Sequence, residues 1–333
     1  MSSPDQSVRR WQKNVRSVIA SGFRERSFWK WVSASQMASY PHASAAVISL
    51  IPGAWLNSVK NPNSGRREVG DFASIGVHTL PQRARYNRGR PMRIVFWNIC
   101  AGGGLRAQRI AAQMVKWAPD VTALCEFRGT PPSLALSTAL AEYGLPHQCT
   151  TATGAANGLL LASRWPLRRV RGRAEPAEPG RWLLAEIAAP TPFTTGVMHV
   201  PNRMTGRKDA FHAEVLSMIR RWRRGPAVLL GDTNSGRPEV DEEVPVFGPR
   251  EVAWLDAIER LGWADAFRSL RGLERAYTWY SPNGRNGFRL DQAFVNRELQ
   301  PKVKGIAYDW GARRRVGGLT LSDHAALVLD LAD

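Results

Sequence analysis

The amino-acid sequence predicts an α/β (α+β) protein in which mixed β-sheets carry helices on their outer faces. Apolar runs of strand character alternate with segments of helical spacing early and late in the region after residue 91, and hairpin-like stretches lie between them. Hydrophobic residues make up 44% of the 333 residues, which is enough for a sizeable buried core. This length fits one large domain or two smaller ones.

Residues 1–91 are predicted to be a basic N-terminal extension, largely disordered, that precedes a domain spanning residues 92–333. The extension accounts for +10 of the chain's formal net charge of +18. Its second half is rich in Asn, Pro, Gly, Ser and Arg and has no sustained period. Two interpretations stay open: a basic arm that adds affinity for nucleic acid, or an unstructured or untranslated segment, since Met92 directly precedes the first clear strand.

Strands and helices are then predicted in alternation as far as residue 200. The expected strands are 93–99, 121–125, 159–162, 181–188 and 194–200, and helices are indicated by the spacing of Ile110, Met114 and Trp117 and by the run 134–143. The strands are rich in Val, Ile, Phe and Trp, which fit a pleated sheet. The run Gly102-Gly103-Gly104 ends the first strand, and Pro119 ends the first helix.

The strongest helix signal spans residues 207–224. Its apolar residues recur at helical spacing, and arginines crowd its last turns, where they complement the helix dipole. Gly225-Pro226 ends it, and an apolar strand that leads to Asp232 follows directly. The remaining elements are expected to be a helix at 252–261 and strands at 277–280, 288–295, 303–308 and 325–331.

The charge balance favours a polyanionic partner, with nucleic acid first and an anionic membrane second. The 3 cysteines are too few for a disulfide framework. No stretch reaches the roughly 18 apolar residues that a membrane-spanning helix needs, and the apolar segment 43–56 follows too long a leader for a signal peptide. We therefore expect a cytoplasmic monomer without a transmembrane segment.

The stretch 228–234, Val-Leu-Leu-Gly-Asp-Thr-Asn, suggests where the chemistry lies. Alternation along an extended backbone places Asp232 and Asn234 on one face, and Gly231 allows the strand to bend or to be approached closely. A carboxylate and an amide placed in this way can both hold a water molecule or a phosphate oxygen. The alternative interpretation of this stretch alone is a strand that ends in an ordinary Asp/Asn turn.

Similar polar groups follow or end several other predicted strands. The set comprises Asn98, Glu126, His199 with Asn202, Asp232 with Asn234, and Asp291 with Asp323 and His324. Ligands bind at strand ends in open α/β folds, so these groups are expected to meet.

Hydrolysis of a phosphodiester needs functions that this set can supply. Glu126, with Asn98 beside it, offers oxygen ligands for magnesium, and Asp232 with Asn234 can orient and deprotonate a water. His324 and His199 can offset charge on the phosphoryl oxygens. A carboxylate such as Asp291 would fix the tautomer of its histidine partner.

Five stretches together resemble the endonuclease/exonuclease/phosphatase superfamily, which includes deoxyribonuclease I, exonuclease III and the apurinic/apyrimidinic endonucleases. They are Arg-Ile-Val-Phe-Trp-Asn-Ile at 93–99, Pro-Asp-Val-Thr-Ala-Leu-Cys-Glu at 119–126, Gly-Asp-Thr-Asn at 231–234, Arg-Leu-Asp at 289–291 and Ser-Asp-His at 322–324. The resemblance covers about residues 92–333 and depends on the ordered set, because no single motif is decisive.

The resemblance implies a four-layered sandwich of two packed β-sheets flanked by helices, and a phosphoesterase dependent on Mg²⁺, with Mn²⁺ as a substitute. By position, Glu126 would be the principal metal ligand, supported by Asn98, and Asp323 would lie near the metal. Asp232 would activate or align the water that Asn234 helps to position. His324, paired with Asp291, would contact the scissile phosphate; whether the histidine or Asp232 takes the proton stays open.

One position departs from the abasic-site enzymes of this superfamily, which have a tyrosine where this chain has His199. This departure speaks against abasic-site specificity, although Asn202 is still expected to contact a phosphate. Arg285, Arg289 and the run 313–315 are expected to meet a phosphate backbone, the alternative for the run being a solvated loop. Trp279 and Tyr280 are expected to pack in the core rather than stack on a base.

Three functions fit these observations. The first is a nuclease that hydrolyses phosphodiester bonds of DNA or RNA. The second is a phosphatase or phosphodiesterase for a small or lipid substrate, which the acidic run 241–243 after Asn234 and the absence of an apolar membrane-binding loop disfavour. The third is a catalytically silent binding protein, which the complete set of polar residues disfavours.

Overall fold

The computed structural model describes residues 89–172, 175–282, 285–311 and 320–332. The predictions for the basic extension up to residue 88 and for the arginines at 313–315 lie outside this part of the chain. We number the helices and strands in chain order. The strands are β1 Met92–Asn98, β2 Val121–Phe127, β3 His147–Thr150, β4 Gly158–Ser163, β5 Leu167–Val170, β6 Trp182–Ile187, β7 Phe193–His199, β8 Ala227–Asp232, β9 Trp263–Asp265, β10 Trp279–Tyr280, β11 Gly287–Phe288, β12 Asp291–Asn296, β13 Val303–Asp309 and β14 Ala326–Leu331. The α-helices are α1 Ala107–Trp117, α2 Pro131–Tyr143, α3 Lys208–Arg220, α4 Pro249–Arg260 and α5 Ala266–Arg271.

Twelve of these strands form two mixed six-stranded sheets, in the orders β13-β14-β1-β2-β4-β3 and β5-β6-β7-β8-β12-β9, and β10 and β11 form a separate two-stranded sheet. Within the first sheet β1 and β2 are parallel, and within the second β7 and β8 are parallel, while the other paired strands run antiparallel. Helices α1 and α2 pack on the outer face of the first sheet, and α3 and α4 pack on that of the second. The predicted four-layered sandwich is therefore confirmed.

Alternation along the central strands builds the layers. In β1, Ile94 and Phe96 face the core between the two sheets, whereas Val95 and Trp97 face the layer of α1 and α2. All four side chains are fully buried. Because both faces of β1 are covered, it appears in the sequence as a continuous apolar run rather than an alternating one.

Gly231 is needed for close packing rather than for a bend. It lies inside β8, and a Cβ atom there would collide with the carbonyl group of Met198 on the neighbouring strand β7. The backbones of these two parallel strands therefore approach closely just before the strand ends that carry His199 and Asp232.

The sequence predicted the edge strand β13 but not the edge strands β3, β5 and β9. Strands β3 and β5 have the sequences His-Gln-Cys-Thr and Leu-Arg-Arg-Val, which carry too few apolar residues to show a period. Both are short edge strands, where one side of the backbone has no partner strand. The predicted helix at 207–224 is shorter in the structure, because α3 ends at Arg220. No helix in the described ranges is long and apolar enough to cross a membrane.

Candidate active site

The polar groups predicted from the strand ends meet at one rim of the sandwich. In the second sheet the register of the strands brings these groups together, because Asp232 of β8 pairs with His199 of β7 on one side and with Asp291 of β12 on the other. In the first sheet Asn98 is the last residue of β1, and Glu126 is the next-to-last residue of β2. The two sheets face each other, so these side chains share one site.

Asp232 lies at the centre of the site and is 3% exposed. Its Oδ2 atom accepts a hydrogen bond from Asn98 Nδ2 at 3.1 Å and lies 3.8 Å from His199 Nε2 and 3.9 Å from His324 Nε2. Its Oδ1 atom accepts from the backbone N–H of Asn234 at 3.1 Å. Burial raises the pKa of Asp232, with Asp291 adding to the rise, and the two histidines oppose it.

His324 and Asp291 form a buried pair behind Asp232. The Nδ1 atom of His324 lies 2.9 Å from Oδ2 of Asp291. Burial by itself lowers the pKa of His324, but Asp291 and then Asp232 outweigh this effect and raise the pKa to about 10. At neutral pH the ring is therefore an imidazolium that donates to Asp291 and directs its second N–H towards Asp232.

The loop that carries His324 is fastened to β1. Ser322 donates its hydroxyl to the backbone oxygen of Asn98 at 2.6 Å and accepts from the backbone N–H of His324 at 3.1 Å. Trp97 donates its indole N–H to the backbone oxygen of His324 at 2.9 Å. Three buried hydrogen bonds thus fasten the His324 loop to the first sheet, and they hold its ring against Asp291 of the second sheet.

His199 has the opposite protonation state to His324. It is also buried, and burial lowers its pKa to about 4, although the charge of Asp232 opposes this shift. At neutral pH His199 is therefore uncharged. Asp232 thus faces one neutral and one cationic imidazole, and the two rings play different chemical roles.

Glu126 lies at the edge of the same site in a strained backbone conformation. Its φ angle is 57°, in the left-handed region that non-glycine residues avoid. Its Oε2 atom accepts from the backbone N–H of Ala101 at 2.7 Å, and its Oε1 atom lies 3.5 Å from Asn98 Nδ2. Cys100 and Ala101 also have positive φ angles, so the loop after β1 is bent to meet this carboxylate.

Two sets of oxygen and nitrogen ligands in the described residues suit a divalent cation. The atoms of Asp232, Asp291 and His324 lie within 4.8 Å of one another, and Oδ1 of Asp291 is buried without a hydrogen-bond partner in the part of the chain that the structure describes. The imidazolium of His324 is a poor ligand until it loses a proton. Glu126, next to Asn98, is a carboxylate with no such obstacle, and its hard oxygen atoms suit Mg²⁺ or Mn²⁺.

The remaining predicted site residues also lie at this rim. Asn234 has a φ angle of 46° and donates its side-chain N–H to the backbone oxygen of Val200 at 2.8 Å, so its amide nitrogen is engaged by the protein. Asn202 is exposed on the loop after β7. Asp323 accepts from the indole N–H of Trp279 at 3.2 Å. The side-chain oxygen of Asn234 can accept a hydrogen bond, for example from a water molecule.

The structure corrects the prediction that Arg289 binds the substrate backbone. Arg289 is 1% exposed, and its guanidinium donates to Asp241 at 2.6 Å and to Asp265 at 2.7 Å. Asp241 also pairs with Arg268, and Asp241 and Glu242 are both fully buried, so only Glu243 of the acidic run 241–243 is exposed. Arg289 therefore stabilises the fold.

The aromatic pair next to β11 was also predicted wrongly. Trp279 is half-buried at the rim, with its ring centroid 6.4 Å from that of His324, and Tyr280 is 37% exposed. Neither belongs to one of the three hydrophobic clusters of the described chain. Both lie in the short strand β10, which pairs with β11 in a separate two-stranded sheet rather than in either six-stranded sheet.

Sequence reasoning missed the residues that support Asn234 from behind. Lys208 is 6% exposed and donates from Nζ to the backbone oxygen of Asn234 at 2.6 Å and to Glu251 at 2.7 Å. His212 lies 3.2 Å from the hydroxyl of Ser235, and burial, reinforced by Lys208, lowers its pKa to about 3. A lysine in the first turn of a helix gives no sequence signal that it is buried.

The model of the endonuclease/exonuclease/phosphatase family matches residues 95–324. An AP endonuclease from Archaeoglobus fulgidus is 19% identical over 73% of this chain and 100% of its own, with a TM-score of 0.62. A 3′-5′ exonuclease from Neisseria meningitidis is 22% identical over 72% of this chain and 99% of its own, with a TM-score of 0.61.

A third similar structure is a 3′ phosphatase from Neisseria bound to a product DNA hairpin, 21% identical over 72% of this chain and 99% of its own, with a TM-score of 0.61. At these identities the three structures establish the fold. Comparison with curated protein sequences gives no match.

Proposed function

Because the chain belongs to the endonuclease/exonuclease/phosphatase family, we propose that it is a nuclease that hydrolyses phosphodiester bonds with the help of a divalent cation. The observation that carries this proposal is the surroundings of Asp232. One buried carboxylate is in contact with Asn98 and lies within 4 Å of a neutral and a cationic histidine. The carboxylate of Asp232 can take a proton from water while the cationic histidine beside it contacts a phosphate oxygen.

In this proposal Asp232 is the group that aligns and deprotonates the attacking water. Burial raises its pKa, which makes it a better proton acceptor than an exposed aspartate. Asn234 donates its backbone N–H to Asp232 and its side-chain N–H to the backbone oxygen of Val200. Its side-chain oxygen accepts the second hydrogen of that water. The nucleophile is thereby oriented by two groups before the substrate arrives.

His324 supplies positive charge at the phosphate. Its imidazolium is held by Asp291 and points its Nε2–H to the space next to Asp232. A phosphoryl oxygen that gains charge in the transition state is stabilised there. His199, which is neutral, donates a hydrogen bond from the other side without adding charge.

We assign the cation to Glu126 and Asn98, with Asp323 nearby, and expect Mg²⁺ with Mn²⁺ as a substitute. A divalent ion held there would polarise a phosphoryl oxygen and neutralise the charge that builds up on it. The short contact between Ala101 N–H and Glu126 Oε2 leaves Oε1, the atom near Asn98, to face the ion.

Nucleic acid is the substrate class that the charge favours. The chain carries a formal +18, and the similar structures include enzymes described as an AP endonuclease and a 3′-5′ exonuclease. A polyanion is attracted to such a protein at long range, so phosphodiesters of DNA or RNA would reach the rim faster than a neutral substrate.

A substrate panel tests this function. Purified full-length chain is incubated with Mg²⁺ and duplex DNA, abasic-site duplex, single-stranded DNA, RNA, a 3′-phosphorylated oligonucleotide and a soluble phosphoinositide. We expect cleavage of nucleic acid that EDTA abolishes and excess Mg²⁺ restores. Asp232→Asn should lose it, whereas Asp209→Asn, which removes an exposed carboxylate on α3, should not. Hydrolysis of the phosphoinositide alone would assign the site to a lipid phosphatase, and no hydrolysis in any arm would refute an enzyme.

A further inference from the structure

A cluster of exposed arginines lies on the outer edge of the second sheet, and we call it the arginine cleft. Its members are Arg168 of β5, Arg171 just after β5, and Arg220, Arg221, Arg223 and Arg224 at the end of α3. The last four line a depression of about 560 Å³ together with Met218, Trp222 and Gly172. We propose that the arginine cleft binds the phosphate backbone of a second segment of nucleic acid, separate from the segment at the active site.

Most of the arginine cleft lies at the end of the second sheet opposite the active site, because four of its arginines directly precede β8 and Arg168 is level, through Glu186, with Thr194 of β7. The active-site rim contains the registered pair His199 and Asp232, whereas the other end of these strands contains the pair Thr194 and Ala227. The strands rise about 3.3 Å per residue, so the two rows are roughly 17 Å apart. A phosphate held at the cleft is therefore not the phosphate that is hydrolysed, and a function at the cleft is additional to hydrolysis.

The positive charge of the cleft is only partly neutralised. Glu186 pairs with both Arg168 and Arg224. Within the described ranges no carboxylate forms an ion pair with Arg220, Arg221 or Arg223.

Two other carboxylates near the cleft are engaged by the backbone. Glu175 accepts from the N–H of Gly172, and Glu214 accepts from the N–H of Ala177. They reduce the local charge without pairing with the arginines at the end of α3. The cleft therefore keeps a positive charge for a partner of opposite sign.

The helix dipole explains only part of this cluster. Cations near a helix C-terminus stabilise the helix, but only within its last turn. Arg168 and Arg171 belong to another element, and Arg223 and Arg224 follow the end of α3 at Arg220. Stabilisation of one helix therefore does not account for the concentration of arginine at this edge.

The turn that presents the arginines is held in a defined conformation. Trp222 donates its indole N–H to the backbone oxygen of Gly225 at 2.9 Å, and its ring packs edge-on against Trp263 with centroids 5.3 Å apart. The backbone between Arg221 and Arg224 is thus fixed from beneath, while the guanidinium groups stay exposed. Binding then costs side-chain entropy but little ordering of the chain.

The chemistry of the cleft fits phosphodiesters best. Each guanidinium presents a planar fork of N–H donors that matches two oxygens of a phosphate, and all six basic residues here are arginine rather than lysine. A row of arginines suits a polymer with regularly spaced phosphates. An acidic protein surface and an anionic membrane share the charge but not the regular spacing, and they serve as contrary outcomes of the test.

The test compares two charge reversals of equal size in full-length chain that carries Asp232→Asn to prevent cleavage. Arg220→Glu with Arg223→Glu alters the cleft, and Arg260→Glu with Arg271→Glu alters exposed arginines on α4 and α5. Binding to a 40-base-pair duplex is measured by fluorescence anisotropy at several salt concentrations. We expect the cleft variant to bind at least tenfold more weakly, with a salt slope lower by about 2, and the control to change much less.

Equal loss in both variants would mean that net charge alone matters, and no loss in the cleft variant would overturn the proposal directly. Vesicles containing phosphatidylserine form a further arm, and a cleft-dependent loss there in place of DNA would assign the surface to a membrane. The same arginine changes with native Asp232 should leave hydrolysis of bis(p-nitrophenyl) phosphate unchanged. If the native chain hydrolyses no substrate of the panel described above, the proposed function fails, while the binding result still decides the cleft.

Discussion

Lys208 is buried behind the candidate active site and contacts Asn234 rather than the space open to substrate. Its replacement by methionine tests separately its effect on the stability of the fold and its effect on catalysis. Its ammonium group donates to the backbone oxygen of Asn234 and to Glu251, which in turn accepts from the backbone N–H of Gly248. Lys208→Met keeps the length of the side chain but leaves Glu251 without its cation. It also leaves the carbonyl group of Asn234 without a donor, at a residue whose φ angle is 46°.

The expected loss of stability follows from the burial of the pair. Removing one partner of a buried ion pair costs about 3–5 kcal/mol, and the remaining hydrogen bond to Glu251 places this case near 3 kcal/mol. For a domain of this size each kcal/mol lowers Tm by about 2–4 °C, so a decrease of about 6–12 °C is expected. Replacing both residues, as Lys208→Met with Glu251→Leu, removes the unpaired charge and should recover most of this loss.

Activity should not recover with stability. In the double variant nothing holds the carbonyl group of Asn234, so its side chain can leave the position from which it orients a water. A displacement of about 1 Å in a catalytic group can lower kcat about 100-fold, and KM should change little because no substrate contact is removed. Thermal unfolding and steady-state kinetics on bis(p-nitrophenyl) phosphate measure the two effects. A double variant with the native kcat would show that Lys208 serves folding alone, and a single variant as stable as the native chain would contradict the burial argument.

Four further changes test other parts of the site. His324→Gln should lower kcat by a factor of about 100 or more with the fold intact, because it removes the cation next to Asp232; native turnover would rule out that role. His199→Tyr should retain most activity and His199→Phe should lose it, because the required property is a neutral hydrogen-bond donor; equal rates in the two variants would contradict this. His212 binds fewer protons when folded, with a pKa near 3 against about 6.5 unfolded, so it makes the free energy of unfolding decrease as pH falls from about 6.5 towards 3. Urea denaturation at pH 7.5, 6 and 5 should show a weaker pH dependence for His212→Gln than for the native chain. Arg289→Met should lower the free energy of unfolding by about 3–5 kcal/mol, because Asp241 and Asp265 lose their cationic partner. The salt dependence of DNA binding should not change. A weaker salt dependence would show that Arg289 does contact the substrate.

The sequence predicted the site well where local patterns determine position. Asn98, His199 and Asp232 are each the last residue of an apolar strand. The carboxyl ends of adjacent parallel strands lie at the same edge of a sheet. Glu126 follows the same logic on β2. These residues could be placed at one rim because the geometry of a sheet is nearly fixed once its strands are known.

The prediction failed for charged residues whose ion-pair partners are distant in sequence, because the local sequence pattern contains no sign of those partners. Arg289 precedes β12 as a single arginine at a strand end, which looks like a phosphate contact, but its carboxylate partners lie 48 and 24 residues away. Lys208 has its partner Glu251 43 residues further along the chain. Nothing in a local window distinguishes a buried, paired cation from an exposed one. Only the packing of α3 against α4 decides it.

The two histidines explain why a tyrosine position can hold a histidine in this chain. A tyrosine next to a carboxylate is neutral at physiological pH and donates one hydrogen bond. His199 has a pKa near 4 because it is buried, so it is neutral as well and can offer one N–H to Asp232. Had both rings carried a charge, two imidazolium groups would hold the pKa of Asp232 down and make it a weak proton acceptor. In the proposed mechanism, burial of His199 and the carboxylate behind His324 therefore keep one cation for the phosphate and leave Asp232 basic enough to act on water.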